Sequence, residues 1–221
     1  NIVYKAASYF MKKYNINSDI LITLNKNLPV ASGIGGGSAD AAATLRKLLK
    51  LFNINKSIFY KNLHTEIAKE LGADIPVCLY SSALNIKNIG EKISNFPINL
   101  KKIIINNNYI ILITPNKPIS TKMVFNNWSK KPQHTNIINK NKHYPTIGIN
   151  DLKSTAENIE HSIITAQKML SLQNGIKYFG MSGSGATCFG LFRKRNLATQ
   201  AENKIKQLRP KWWVKSASII I

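Results

Sequence analysis

Residues 29–40 read Pro29-Val30-Ala31-Ser32-Gly33-Ile34-Gly35-Gly36-Gly37-Ser38-Ala39-Asp40, and this stretch narrows the possible folds more than any other. Glycine reaches positive φ and lets the backbone approach a ligand closely, so successive N–H groups can turn inward. Strong helix formers follow at once, with Ala41, Ala42, Leu45, Leu48 and Leu49 on one face of residues 38–52. A glycine loop that runs straight into a helix presents unpaired N–H groups and the positive end of a helix dipole at one place. That suits a phosphate chain, whose oxygens need several donors close together. Ser38 adds a hydroxyl, either as a donor or as a metal ligand. A flexible turn is the competing reading of the glycines alone. The abrupt change into a helix with serine at its start favours the anion site.

The loop differs from the common nucleotide fingerprints. No lysine follows Gly37, which excludes the Gly-x4-Gly-Lys-Ser/Thr loop. The glycine spacing is wrong for a dinucleotide site, and no ribose-binding acid ends a following strand. A second glycine turn, Gly180-Met181-Ser182-Gly183-Ser184-Gly185-Ala186, lies between two apolar segments. It reads as a tight hairpin or as a close approach to a ligand or another loop. The third candidate is Asp74, within Gly72-Ala73-Asp74-Ile75-Pro76. An acid on a glycine turn is either a turn-stabilising residue or a general base for an attacking hydroxyl.

The charge needs weighing, because 31 Lys and Arg against 10 Asp and Glu give +21. Such a balance suggests nucleic acid. Yet only Arg46, Arg193, Arg195 and Arg209 are arginines, and Lys, Asn and Ile rise together. That looks like compositional drift, since nucleic-acid readers cluster arginine for bidentate and stacking contacts. A basic surface that favours an anionic small molecule is the milder reading. Cys78 and Cys188 are far apart and show no zinc spacing, so both are expected in the core of a cytoplasmic protein. No apolar run approaches the roughly 18 residues of a membrane span.

The 221 residues allow one large domain or two small ones. Helices are expected to about residue 14, over 38–52 and over 57–71, and near Ser120. Further helices are expected over 150–170 and 197–208. Strands are expected over 19–24, Tyr109–Thr114, 178–181, 187–192 and 212–221. Residues 75–80 and 83–87 read as apolar or strand-like, 88–91 as a turn, and 92–96 as extended. The Asn-rich stretch 97–108 suits a domain junction, and 128–146 a long surface loop. The second half reads as a two-layer α/β sandwich. The chain opens in a helical pattern at Asn1 with no cap in view, which suggests that its natural N-terminus is absent.

These motifs, in this order, resemble the GHMP kinases, which include galactokinase and homoserine, mevalonate and phosphomevalonate kinases. The segments concerned are Pro29-x4-Ile34-Gly35-Gly36-Gly37-Ser38-Ala39-Asp40, Leu71-Gly72-Ala73-Asp74-Ile75-Pro76 and Gly180 through Thr187. Asn150-Asp151-Leu152 and Ile89-Gly90-Glu91 fit one branch closely, the kinases of diphosphocytidyl-methylerythritol in the non-mevalonate isoprenoid pathway. The resemblance implies an α+β, two-domain fold. An ATP-binding N-terminal domain over 1–100, of a type also seen in a ribosomal protein, would precede a ferredoxin-like domain over 101–221. It implies ATP, Mg²⁺ and a small cytidylated alcohol as ligands, with neither nucleic acid nor membrane as partner. The oligomeric state stays open.

Residues 29–39 would hold the phosphates, with Lys26 near them, Asn1 near the adenine and Ser38 as a metal ligand. Asp74 would be catalytic. Thr121 and Phe125 would line the cytidine pocket, with Gly183, Ser184 and Gly185 beside the substrate. The family begins with a lysine-bearing strand and an Asp-Gly-Tyr-His segment. This sequence has neither, so the first domain is expected to be incomplete and the lysine to lie before Asn1.

Overall fold

The computed structural model describes residues 1–88, 90–128 and 150–220. The chain divides into two units, Asn1–Leu28 with Gly35–Pro97, and Pro29–Ile34 with Ile98–Ile221. The loop segment Pro29–Ile34 packs with the residues of the second unit.

In the first unit, α1 (Ile2–Lys13) does have a cap: the Val3 N–H donates to the Asn1 side-chain oxygen at 3.1 Å. Val3, Ala6 and Phe10 form its buried stripe. The strand expected over 19–24 is irregular chain, with Leu21 94% exposed. A strand exists only by pairing, and no ladder partner reaches this segment among the described residues. α2 (Gly36–Leu51) packs on α1, and α3 (Lys56–Glu70) follows. Phe10 gathers Tyr14, Phe52 and Phe59 with ring centroids 5.0, 6.2 and 6.1 Å away. Full burial of Phe10, Phe59 and Leu45 stabilises by about 1.5–3 kcal/mol each.

Residues 75–80 form a helix, α4 (Ile75–Tyr80), and not the strand-like segment expected. Pro76 lies in the first turn, where its missing N–H leaves no hydrogen bond unmade. Ser81 ends the helix in the left-handed region. β1 (Leu84–Lys87) and β2 (Lys92–Asn95) then pair antiparallel, Leu84 opposite Asn95.

In the second unit the expected Asn-rich junction is largely a helix, α5 (Ile98–Asn106). The Asn107 side chain donates to the Ile103 carbonyl at 2.8 Å and so satisfies part of its C-terminus. Next come β3 (Tyr109–Thr114) and α6 (Thr121–Asn127), the latter capped by Ser120 as its sequence predicts. The helix expected over 150–170 is broken into α7 (Lys153–Ile159) and α8 (Ser162–Ser171). Glu160 turns extended there, and its carboxylate accepts from the Ser162 N–H at 2.9 Å.

β4 (Ile176–Met181), β5 (Cys188–Phe192), α9 (Arg195–Leu208) and β6 (Trp213–Ser218) complete the unit. Its sheet has the order β4-β5-β3-β6 and is antiparallel throughout. α8 and α9 cover it, with Ile111, Ile113, Ile163, Leu170, Phe192 and Ile205 fully buried between the layers. Cys188 sits in that core, where burial pushes its thiol up to about 12. Glu202 of α9 accepts from the Ser216 N–H and hydroxyl and from Lys206. Burial disfavours its charge, but these donors hold its carboxyl below the usual range.

Residues 129–149, Ile89 and Ile221 fall outside the described residues, and with them most of the expected surface loop. No helix among the described residues is long and apolar enough to cross a membrane.

Candidate functional site

The loop takes left-handed φ at every second residue: Ala31 at 53°, Gly33 at 73° and Gly35 at 69°. Alternation of this kind turns successive N–H groups to one side, a geometry that receives anions. Gly35 is the N-cap of α2 and supplies no side-chain hydrogen bond to the first turn. The N–H groups of Gly36, Gly37 and Ser38 thus have no intrahelical partner. A Cβ on Gly36 would come no nearer than 3.9 Å to Leu28, and one on Gly37 no nearer than 3.6 Å to Ile2. The protein's own packing does not demand glycine at either position, so the free space suits a bound group instead.

The first half of the loop is fastened within the second unit. The Thr187 N–H donates to the Ser32 carbonyl at 3.2 Å. The Ser182 hydroxyl donates to the Gly33 carbonyl at 2.8 Å. Ser32 is buried, and its hydroxyl donates to the Pro29 carbonyl at 2.8 Å, so it braces the loop internally. Val30 points outward, 75% exposed.

The turn that holds the loop is itself braced. The Asn150 side-chain amide donates to the Met181 and Gly183 carbonyls at 3.1 and 2.8 Å. Thr187 also shares a buried hydroxyl hydrogen bond of 2.7 Å with Thr114. The second glycine turn thus makes the close approach to another loop that its glycines allowed; Ser182 and Thr187 stood within that motif without a role, and Thr114 only as the end of a strand, because nothing in the sequence pairs residues so far apart. Asn150 stood in a recognised motif without a role.

Thr121 and Ser184, both expected beside the substrate, do meet, with hydroxyls 2.9 Å apart. Phe125 lies one helical turn beyond Thr121 on α6, 53% exposed and edge-on to Trp128. An exposed ring of this kind offers a flat apolar face.

In the first unit Asp74 sits exposed at the start of α4, and its carboxylate makes no capping hydrogen bond. Lys26 reaches the beginning of α2 through an ion pair with Asp40 at 2.6 Å. Asn1 borders a groove of about 520 Å³ along α1 and residues 16–24, with its side-chain oxygen engaged by Val3. No group of three or more His, Cys, Asp or Glu side chains among the described residues could hold a metal. Ser38, in the first turn of α2, offers one hydroxyl oxygen, a donor of the kind that an ion keeping water and phosphate oxygens as most of its ligands accepts.

The family described as GHMP kinases N terminal domain matches residues 1–82, and GHMP kinases C terminal matches residues 143–211. A 4-diphosphocytidyl-2-C-methyl-D-erythritol kinase of Rhodospirillum rubrum is 33% identical over 230 residues, covering 100% of this chain and 72% of the relative. A protein of the same name from Clostridium botulinum (strain Loch Maree, type A3) is 37% identical over 202 residues, covering 87% of this chain and 69% of its own. A crystal structure of 4-(cytidine 5'-diphospho)-2C-methyl-D-erythritol kinase superposes with a TM-score of 0.75 at 21% identity, over 100% of this chain and 79% of that one. That superposition bears out the two-domain α+β fold, and the sequence identity, sustained over most of each relative, makes the chain a member of the GHMP kinase family in its 4-diphosphocytidyl-2-C-methyl-D-erythritol kinase branch.

Proposed function

We propose that this chain transfers the γ-phosphoryl group of ATP to the 2-hydroxyl of 4-diphosphocytidyl-2-C-methyl-D-erythritol, a step of isoprenoid biosynthesis. The observation that carries the reading is in the first unit: an uncapped α2 N-terminus at a glycine loop, together with an exposed, uncapped carboxylate at Asp74. The relatives' shared name gives the substrate.

Under this reading the N–H groups of residues 33–38 bind the phosphate oxygens, and Lys26 adds positive charge beside them. Asn1 borders the adenine. Thr121, Ser184 and the turn at Gly183 and Gly185 hold the substrate, and Phe125 stacks on its cytosine. The substrate hydroxyl attacks the γ-phosphorus as the bond to the ADP oxygen breaks. Asp74 accepts the hydroxyl proton. Ser38 is the protein ligand for magnesium, which neutralises charge on the phosphate oxygens when bound.

The test is ADP release by the full chain as its gene encodes it, with the cytidylated alcohol compared with homoserine and mevalonate. Turnover confined to the cytidylated alcohol is expected. Turnover of homoserine or mevalonate alone would move the chain to another GHMP activity. Micromolar RNA binding at physiological salt without nucleotide binding would overturn the kinase reading altogether.

A further inference from the structure

The base proposed above stands at the head of a helix of only 6 residues. So short a helix has little cooperativity of its own, and its position depends on what grips it. Its last carbonyls have no intrahelical donors. The Arg46 guanidinium donates to the Cys78 carbonyl at 2.6 Å. The Tyr60 hydroxyl, in a buried setting, donates to the Leu79 carbonyl at 3.0 Å. At the other end, a Cβ on Gly90 would lie 2.0 Å from the Ala73 carbonyl oxygen, so the hairpin turn presses directly on the residue before Asp74.

Arg46 has a second connection, because it belongs to α2, whose first turn carries Gly36, Gly37 and Ser38. Eight residues of α-helix separate Ser38 from Arg46, about 12 Å of rigid rod. One helix therefore carries the phosphate-binding turn at its start and the clasp on Asp74's helix two turns later. We propose that Arg46 is a positioning residue: by holding the C-terminal end of α4 on α2, it fixes the Asp74 carboxylate relative to the phosphate-binding turn. Tyr60 steadies the same end from α3. This inference rests on the reading of Asp74 as the proton acceptor. The charge-assisted bond from Arg46 to the Cys78 carbonyl is of the stronger kind, and displacement of a catalytic group by about 1 Å can cost roughly 100-fold in rate.

The test uses the full chain as its gene encodes it. Arg46→Met, Arg46→Lys, Tyr60→Phe and Asp74→Asn are compared by kcat, KM for ATP, nucleotide affinity by calorimetry, and hydrogen exchange at the Cys78 amide. That amide donates to the Asp74 carbonyl at 3.2 Å. Arg46→Met is expected to lower kcat per nucleotide-binding site roughly 10- to 100-fold. KM for ATP and nucleotide affinity should stay within about twofold, while the Cys78 amide exchanges faster. Arg46→Lys should restore part of kcat, and Tyr60→Phe should lower it about threefold to tenfold.

An unchanged kcat in Arg46→Met, with Asp74→Asn inactive, overturns the inference and leaves the Asp74 reading standing. Full activity in Asp74→Asn removes that reading and the inference with it. If Arg46→Met fails to fold, Tyr60→Phe and Arg46→Lys decide, and an unchanged kcat in both overturns the inference.

Discussion

Gly33 and Gly35 are two residues apart, with nearly the same left-handed φ of 73° and 69°, yet they answer to different demands. A Cβ on Gly33 would strike the Gly185 and Ser182 carbonyl oxygens at 2.4 and 2.8 Å. A Cβ on Gly35 would meet nothing within 4 Å. Gly33 belongs with the second unit and Gly35 with the first. The first half of the loop is thus a docked segment, held by its carbonyls and by close backbone approach. The second half is an open helix start, free to receive a ligand. One glycine is needed for space and conformation, the other for conformation alone.

Gly33→Ala should separate these demands most sharply. Overpacking against backbone together with the left-handed strain is expected to cost about 3 kcal/mol or more, with nucleotide affinity down at least about 100-fold. Thermal unfolding and calorimetry read both, and normal binding by this variant would show that docking is dispensable. Gly35→Ala meets only the conformational penalty, about 1–2 kcal/mol, and should weaken nucleotide about tenfold. Equal losses in the two variants would erase the distinction. Ser182→Ala removes one bond to the Gly33 carbonyl, at a cost of about 1 kcal/mol in denaturant unfolding. Gly36→Ala should act in opposite directions, raising stability by up to about 1 kcal/mol through helix propensity while weakening nucleotide binding. A variant that gains both would mean that no phosphate approaches Gly36.

The same contrast explains what could be read from the sequence. α1 and α2 were legible because Ala6 and Phe10, or Leu45, Leu48 and Leu49, recur at helical spacing and are buried. α4 was not, since Ile75-Pro76-Val77-Cys78-Leu79-Tyr80 is too short and too uniformly apolar to show a period. Its C-terminal carbonyls are satisfied by Arg46 and Tyr60, which lie on other elements. The strand expected over 19–24 misled for a different reason: the β-prone run Ile20-Leu21-Ile22 was present, and a pairing partner among the described residues was not. α5 was hidden because asparagine counts as a loop former, although Asn107 here caps a helix end through Ile103. At the candidate site, a glycine loop running into a helix was visible in the sequence, whereas the different demands on Gly33 and Gly35 were not. Nor was the tether from Ser182 to Gly33, 149 residues apart.

The order of the second sheet has a consequence for how the chain is made. β3 is the first of its strands to leave the ribosome, and it lies between β5 and β6. Its partners come roughly 80 and 105 residues later, so at about 5–20 residues per second it waits about 4–20 s for them. For that interval Tyr109-Ile110-Ile111-Leu112-Ile113-Thr114, an uncharged and strongly β-prone run, has both edges open. Slower translation lengthens the exposure and a chaperone shields it. The wait of β3 is therefore the interval in which association between chains competes with folding, whereas the first unit, built mainly from neighbouring helices, can form as it emerges.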